Sequence, residues 1–329
     1  MKLIIQIPCL DEEATLPATL ADLPREVAGF DTVEWLVIDD GSTDRTCEVA
    51  RAHGVDHIVR HSANLGLARA FMTGIEAALM AGADVIVNTD ADNQYFGGDV
   101  ATLVEPILAG RAQIVIGARP IAEIAHFSPL KKLLQGVGSA VVRLASGARI
   151  PDAPSGFRAY HKDAARKLFV LNSYTYTLET IIQAGRKGVP MVSVPVRVNG
   201  ETRPSRLVRG VFDYVGRSGL TIVRISLLYR PVRFFTVLAV LTALPGVIGV
   251  GRFLVFYLQG EGGGHIQSLV LSGALLAMAV VLLMAGVLAD LIAANRVLLE
   301  DIRARQLRDA PAQTAVEPQR TIKRVRERA

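Results

Sequence analysis

Two uninterrupted apolar stretches, about Phe234–Leu258 and Ser268–Ile292, restrict the folds open to this 329-residue chain more than any other feature. Each exceeds the roughly 20 residues needed to cross a hydrocarbon core. Their connection, Gln259 to Gln267, is rich in glycine and contains no Lys or Arg. Arg217, Arg224, Arg230 and Arg233 precede the pair, and Arg296, Arg303, Arg305 and Arg308 follow it. The positive-inside rule then predicts a two-helix transmembrane hairpin in a cell membrane, with both termini cytoplasmic. A buried hairpin of a soluble protein is the competing reading. Arg252 and Asp290 lie near the ends of the stretches, where snorkelling or pairing makes a charge tolerable. Gly246, Gly249 and Gly251 offer a close helix contact, which leaves room for a homo-oligomer.

Charge follows the same division. The formal net charge is +5, and arginines concentrate on both flanks of the apolar region. That placement suits a lipid membrane surface and not nucleic acid. Leu207–Tyr229 mixes apolar residues with Arg209, Arg217 and Arg224, as interfacial amphipathic helices do, although helices packed on the preceding domain would look alike. The basic tail, residues 295–329, reads as partly disordered. Cys9 and Cys47 have neither metal-ligand spacing nor a disulfide framework, and read as core thiols in a reducing compartment. The opening apolar run, Leu3 to Ile7, ends at Pro8 and Asp11-Glu12-Glu13, too early for a secretory core.

Residues 1 to about 205 alternate short β-branched runs with helical periodicity. Strands are expected at Leu3–Pro8, Glu34–Asp39, His57–Arg60, Val85–Thr89 and Ile114–Gly117, and helices near Glu13–Val27, Arg45–His53, Gly66–Ala81 and Val100–Leu108. Ser42-Thr43-Asp44 is a helix start signal, and Gly54 and Gly82 are stop signals. Apolar strands alternating with helices predict an α/β fold with a mostly parallel sheet covered on both faces. Ligands of such sheets bind beyond the carboxyl ends of the strands. Acidic clusters stand at three of those ends: Asp11-Glu12-Glu13, Asp39-Asp40 and Asp90 with Asp92.

Asp90-Ala91-Asp92 closes a strand, so both carboxylates can turn toward one pocket as the chain leaves the sheet. Hard oxygen ligands suit Mg2+ or Mn2+ bound together with substrate phosphates. Asp39-Asp40-Gly41 can hydrogen-bond a base and ribose, or form a plain turn with a helix cap at Ser42 or Asp44. The chain lacks the G-x-G-x-x-G and G-x-x-x-x-G-K-[ST] patterns of dinucleotide folds and P-loop NTPases. His61, His126 and His161 have no evident partner and read as surface or loop residues.

Taken in order, Pro8…Glu12, Asp39-Asp40-Gly41-Ser42-x-Asp44, Asn64-x-Gly66…Ala70…Gly74, Asp90-x-Asp92-x-Gln94 and Ser155-Gly156-Phe157-Arg158 resemble family 2 glycosyltransferases. More narrowly, the series is similar to the dolichol- and polyprenyl-phosphate glycosyltransferases of the mannose-phosphate-dolichol synthase type. The resemblance covers residues 1 to about 230. It implies a GT-A (Rossmann-like) domain, which takes 1–206 ahead of the interfacial helices at 207–231, the transmembrane helices within 232–294 and the tail at 295–329 read from composition and charge. It also implies inverting transfer from a GDP- or UDP-linked sugar to a polyprenyl or dolichyl phosphate, supplying a lipid-linked sugar for glycan or cell-envelope assembly.

By position, the resemblance assigns Pro8, Leu10, Glu12, Val37, Asp39 and Asp40 to the donor nucleoside. Asp90, Asp92 and Gln94 would hold the metal and diphosphate, with the Ala91 backbone beside them. Arg119 would reach the reacting phosphates, and Arg203 and Arg206 would close over the diphosphate, where guanidinium forks fit phosphate oxygens. Asp92, Arg119 and Arg203 are the expected catalytic residues. Arg206 reads equally as a membrane-surface charge. Relatives grip the lipid phosphate with an Arg and a Ser, where this chain has Lys131 and Gln135. Ser155 and Arg158 complete the expected acceptor set, though both are also plausible loop-fixing residues. Relatives with hydroxyl acceptors carry a Glu-Asp base about where Ser155-Gly156 stands. A phosphate acceptor, already ionised at about −1.5 to −2, needs no such base. A membrane glycosyltransferase acting on a lipid-linked sugar or polysaccharide is the alternative. A catalytically silent nucleotide-binding scaffold is a further one.

Overall fold

The computed structural model describes residues 1–120, 150–170, 176–199, 227 and 231–309. Two compact units divide the chain, Met1–Val215 with Ile302–Ala329, and Gly216–Asp301. The expected interfacial helices, Lys131, Gln135, His126, Arg203 and Arg206 lie outside the described residues.

The first unit follows the predicted alternation. Its elements begin β1 (Lys2–Cys9), α1 (Leu16–Asp22), β2 (Thr32–Asp39), α2 (Thr46–Ala52), β3 (His57–Arg60), α3 (Leu67–Met80), β4 (Val85–Asn88), α4 (Val100–Leu108) and β5 (Ile114–Ala118). After them come β6 (Arg158–His161), α5 (Lys162–Lys167), α6 (Thr177–Arg186) and β7 (Met191–Pro195). The strands form one sheet in the order β3-β2-β1-β4-β6-β5-β7. β6 runs antiparallel to β4 and β5, and the other pairings are parallel. Central β1 is buried on both faces from Leu3 to Cys9, as a parallel strand sandwiched between helices must be. Leu3, Ile5 and Ile7 pack with Val37, Val85, Val87, Val115 and Phe157 in the core.

Helix α1 is shorter than the pattern predicted. It stops at Asp22 because Leu23 is extended (ψ 135°), the conformation that the following Pro24 favours. Gly54 and Gly82 take φ of +70° and +82° just after α2 and α3 and act as the expected stops. Gly74 on α3 lies so close to the sheet that a Cβ there would stand 2.5 Å from Gln6 Oε1 and 2.7 Å from Ile38 Cδ1.

The second unit contains α7 (Pro231–Leu258) and most of α8 (Ile266–Asp309). Pro231–Leu258 and Gly263–Asn295 are long and apolar enough to cross a membrane. Only 11% of each apolar window is buried, which argues against a soluble core hairpin. Val247, Ile248, Val270 and Leu271 are exposed, an arrangement that suits lipid contact. Gly246 approaches the Ser272 carbonyl and Leu276, and Gly249 abuts the Ser272 side chain. These two glycines therefore let α7 and α8 pack closely within one chain, while Gly251 faces open space.

Gly74→Ala should destabilise the first unit by about 1–3 kcal/mol through overpacking. Thermal unfolding followed by the single tryptophan, Trp35, should show a lowered midpoint; an unchanged midpoint would contradict the close contact.

Candidate active site

The site is built at the carboxyl edge of β1, β2 and β4, where the parallel ladders bring the three acidic clusters into neighbouring positions. The first two loops are knitted together. The Asp11 and Glu12 amides donate to Ser42 Oγ and Thr46 Oγ1, each at 2.9 Å, and the Thr43 amide donates to Asp11 Oδ1 at 2.8 Å. Asp11 is left-handed (φ 53°), a conformation that Asp tolerates better than most residues. Asp44 stands just outside α2 and accepts from the Thr46 amide at 2.9 Å. The predicted start signal thus acts through Asp44, while the residue at the cap position is Arg45.

Asp39 and Asp40 both turn inward. Asp39 accepts from the Ser42 amide (2.9 Å) and the Cys47 thiol (3.0 Å) and forms an ion pair with Arg60 Nε (2.9 Å). Burial, followed by the bond to Asp39, pushes the Cys47 thiol up to about 12. Burial likewise raises Cys9, so both expected core thiols are buried and protonated at neutral pH. Asp40 accepts from the Leu65 and Gly66 amides at 3.0 and 2.8 Å and bonds His61 Nδ1 at 2.7 Å. Its carboxylate therefore fixes the start of α3. His61 also bonds Thr73 Oγ1 at 3.0 Å, so it is a partnered residue and not the loose loop histidine expected. His161 is likewise partnered, its Nδ1 accepting from the Asp163 amide at 3.3 Å. Pro8, Glu12 and Val37 are buried, and Leu10 is half-buried.

The Asp90–Asp92 loop is held from two sides. Thr19 Oγ1 of α1 donates to the Ala91 carbonyl at 2.9 Å. From the segment after β7, the Asn199 amide donates to the Gln94 carbonyl at 2.8 Å. Asn199 Nδ2 donates to the carbonyl of Asn93 at 3.1 Å. Asn93 is left-handed (φ 55°), which swings the chain between Asp92 and Gln94. The Gln94 amide then donates to Asp92 Oδ1 at 3.2 Å. Below Asp90, buried Asn88 donates through Nδ2 to the Gly156 carbonyl (2.8 Å) and Tyr176 Oη (2.9 Å), and accepts from Gln6 Nε2 (2.8 Å). The Gly156 amide donates to Tyr95 Oη at 3.0 Å. A Cβ on Gly156 would sit 2.9 Å from Asp90 Oδ2, so only glycine leaves this carboxylate its place.

Electrostatics at Asp90 agree with a cation site. Burial, then the charge of Asp92, pushes Asp90 up to about 7, while Arg119 and Arg158 pull the other way. A divalent ion would relieve both the desolvation and the repulsion. Among the described residues no group of three or more His, Cys, Asp or Glu converges as a metal cage. A carboxylate pair fits a metal that completes its shell with phosphate oxygens and water.

Arg119, at the end of β5, is held by Asp152 through a fork: Nε to Oδ2 at 2.7 Å and Nη2 to Oδ1 at 3.0 Å. It lies 5.9 Å from the Tyr95 ring centroid. Burial opposes its charge, yet Tyr95, Asp152 and Asp90 together hold its pKa above the usual value. Arg158 differs. It is fully buried and donates to the carbonyls of Ser155 (2.7 Å), Thr177 (2.8 Å) and Ala153 (2.6 Å) and to Thr180 Oγ1 (2.9 Å). Ser155 is fully buried as well. The Arg158 guanidinium therefore braces the loop into β6, with the Ser155 carbonyl as one of its acceptors. Tyr95, Asn88, Asp152 and Asn199 were missed by the sequence reading. Asp152, three residues before Ser155-Gly156, was the one with a signal, as an acid able to balance Arg119.

A strand-end carboxylate pair, a nearby buried arginine and an α/β sheet with one reversed strand together describe a GT-A glycosyltransferase. The chain belongs to glycosyl transferase family 2, whose pattern matches residues 4–169. It is 33% identical over 202 residues to an uncharacterized protein of Methanocaldococcus jannaschii, covering 60% of this chain and 81% of that protein. It is 28% identical over 241 residues to the undecaprenyl-phosphate mannosyltransferase of Micrococcus luteus, covering 70% of this chain and 96% of that protein. Among solved structures, glucosyl-3-phosphoglycerate synthase from Mycobacterium tuberculosis, in complex with Mn2+ and UDP, matches with a TM-score of 0.52 at 20% identity. That match covers 69% of this chain and 77% of the other.

Because a metal and a proton compete for Asp90, the stabilisation given by Mn2+ should grow as pH rises through about 7. The Mn2+-induced rise in unfolding temperature should be larger at pH 8 than at pH 6; an equal rise at both would contradict the linkage. Gly156→Ala should weaken Mn2+ binding by on the order of 10-fold or more, measured by titration with the ion alone.

Proposed function

We propose that this glycosyltransferase moves a sugar from a UDP- or GDP-linked donor to a polyprenyl or dolichyl phosphate at the cytoplasmic face of a membrane. The reading rests on one conjunction: a strand-end carboxylate pair in a chain that also carries two helices long and apolar enough to span a bilayer. The undecaprenyl-phosphate mannosyltransferase named above supports it. Arginines on the outer flanks of the helices, and none in their connection, favour cytoplasmic termini.

Asp90 and Asp92 would hold Mg2+ or Mn2+, with Gln94 beside them. A bound metal would neutralise the donor diphosphate and stabilise it as a leaving group. An acceptor phosphate oxygen would attack the anomeric carbon from the face opposite the leaving group. The bond from that carbon to the diphosphate oxygen breaks, and the nucleoside diphosphate departs with the electron pair, inverting the centre. Gly156, without a side chain, leaves Asp90 free of steric crowding, and Arg119, locked by Asp152, adds fixed positive charge near the departing phosphates. Neither residue needs to accept a proton, because the phosphate nucleophile is already ionised. Lys131, Gln135, Arg203 and Arg206 remain proposed phosphate contacts by position in the sequence.

The purified full chain in lipid nanodiscs, given Mn2+, radiolabelled UDP-glucose, UDP-N-acetylglucosamine or GDP-mannose, and undecaprenyl or dolichyl phosphate, should form an organic-extractable product with at least one donor. No lipid product from any of them would refute the proposal. Asp92→Ala should lower the transfer rate by on the order of 10²-fold or more; unchanged turnover would remove Asp92 from the mechanism.

A further inference from the structure

The buried carboxylate of Asp39 leaves open which group reads the nucleobase. β3 is an edge strand, and its last residue, Arg60, pairs in register with Asp39. Residues aligned on neighbouring strands share a face of the sheet. Arg60 Nε meets Asp39 Oδ2 at 2.9 Å, and Nη2 donates to the Ser42 carbonyl at 2.9 Å. Asp39 has no exposed surface, whereas 57% of the Arg60 side chain is exposed. Two buried partners thus fix the guanidinium, and a guanidinium has five N–H donors and no acceptor.

Strand order places this group at a useful distance. From β4, which carries the Asp90–Asp92 loop, the sheet passes through β1 and β2 to β3. Three steps at about 4.8 Å give about 14 Å, the reach of an extended nucleoside diphosphate whose phosphates sit at the carboxylate pair. A base at that end meets outward guanidinium donors, because the acceptor oxygens of Asp39 are covered. Donors match the carbonyl edge of uracil or the O6 and N7 acceptors of guanine; they oppose the amino groups of cytosine and adenine.

We propose that Arg60 is a specificity-determining residue of the donor site, selecting uracil or guanine, whose O4 or O6 is an acceptor where cytosine and adenine carry an amino group. The inference rests on the donor reading given under Proposed function. The full chain in nanodiscs with Mn2+ is titrated with UDP, GDP, CDP, ADP and inorganic pyrophosphate. UDP or GDP should bind at least about tenfold tighter than CDP and ADP. In Arg60→Met that spread should fall to within about threefold, with pyrophosphate affinity unchanged. Arg60→Lys keeps a cation against Asp39 without the fork, serves where the methionine variant does not fold, and should lose the preference as well. A preference that survives both substitutions, or a loss that pyrophosphate shares, overturns the role of Arg60. Wild-type binding of all four nucleotides without preference also sinks the inference alone. Failure of any nucleotide to bind the wild type sinks the donor reading beneath it.

Discussion

The hydrogen bonds of one buried side chain, Asn88, hold together the parts from which the site is made. Its amide joins Gln6 on β1 to the Gly156 carbonyl before β6 and to the Tyr176 hydroxyl at the start of α6. It is the last residue of β4, two before Asp90, so the same bonds fix where the Asp90 carboxylate leaves the sheet. Tyr176 in turn stacks on Phe71 of α3 with ring centroids 3.9 Å apart. A polar residue with no exposed surface is tolerable here because its amide is satisfied on both sides. Apolar residues would fill the space equally well but would not set the positions of Gly156 and Tyr176 relative to Asp90.

Much of this architecture was legible because it depends on local patterns. The β-branched runs at Val85–Asn88 and Ile114–Ala118 and the glycine stops after α2 and α3 carry their own signals. The strand-end position of Asp90 and Asp92, the place where parallel sheets bind ligands, was legible from the β-branched run before them. The inward turn of Asp39 and Asp40 was not, since it depends on amides and side chains 3 to 26 positions away, at Ser42, Cys47, Arg60, Leu65 and Gly66. Arg158 shows the same difficulty. An arginine after Ser-Gly-Phe suggests a phosphate ligand, and only the converging carbonyls of Ala153, Ser155 and Thr177 show that it braces a loop. The antiparallel strand β6 and the short helix α5 after it were also missed, because four to six residues carry little periodicity.

The charges at the site are arranged in two kinds of environment. Asp39 and Asp152 are buried but each faces an arginine, and Asp40 faces two amides and a histidine, so those charges are balanced within the fold. Asp90 has a like charge beside it, and burial and that charge outweigh the opposing pull of Arg119 and Arg158. The fold therefore leaves its imbalance at the position where a cation and a diphosphate would enter. Perturbation concentrated on one carboxylate, amid neighbours that are paired, is how a binding position differs from a structural ion-pair network.

Reversal of β6 has a consequence for how such a protein can diversify. Because β6 runs against its neighbours, the chain enters it from the same edge at which β1, β2 and β4 end. The segment leading into it therefore borders the strand-end carboxylates, with Gly156 against Asp90, while the ladder behind that segment is fixed by register. A lineage can lengthen, shorten or exchange this approach and so change what sits beside those carboxylates without rethreading the sheet. One reversed strand thereby separates a part held constant by the sheet from a part free to vary.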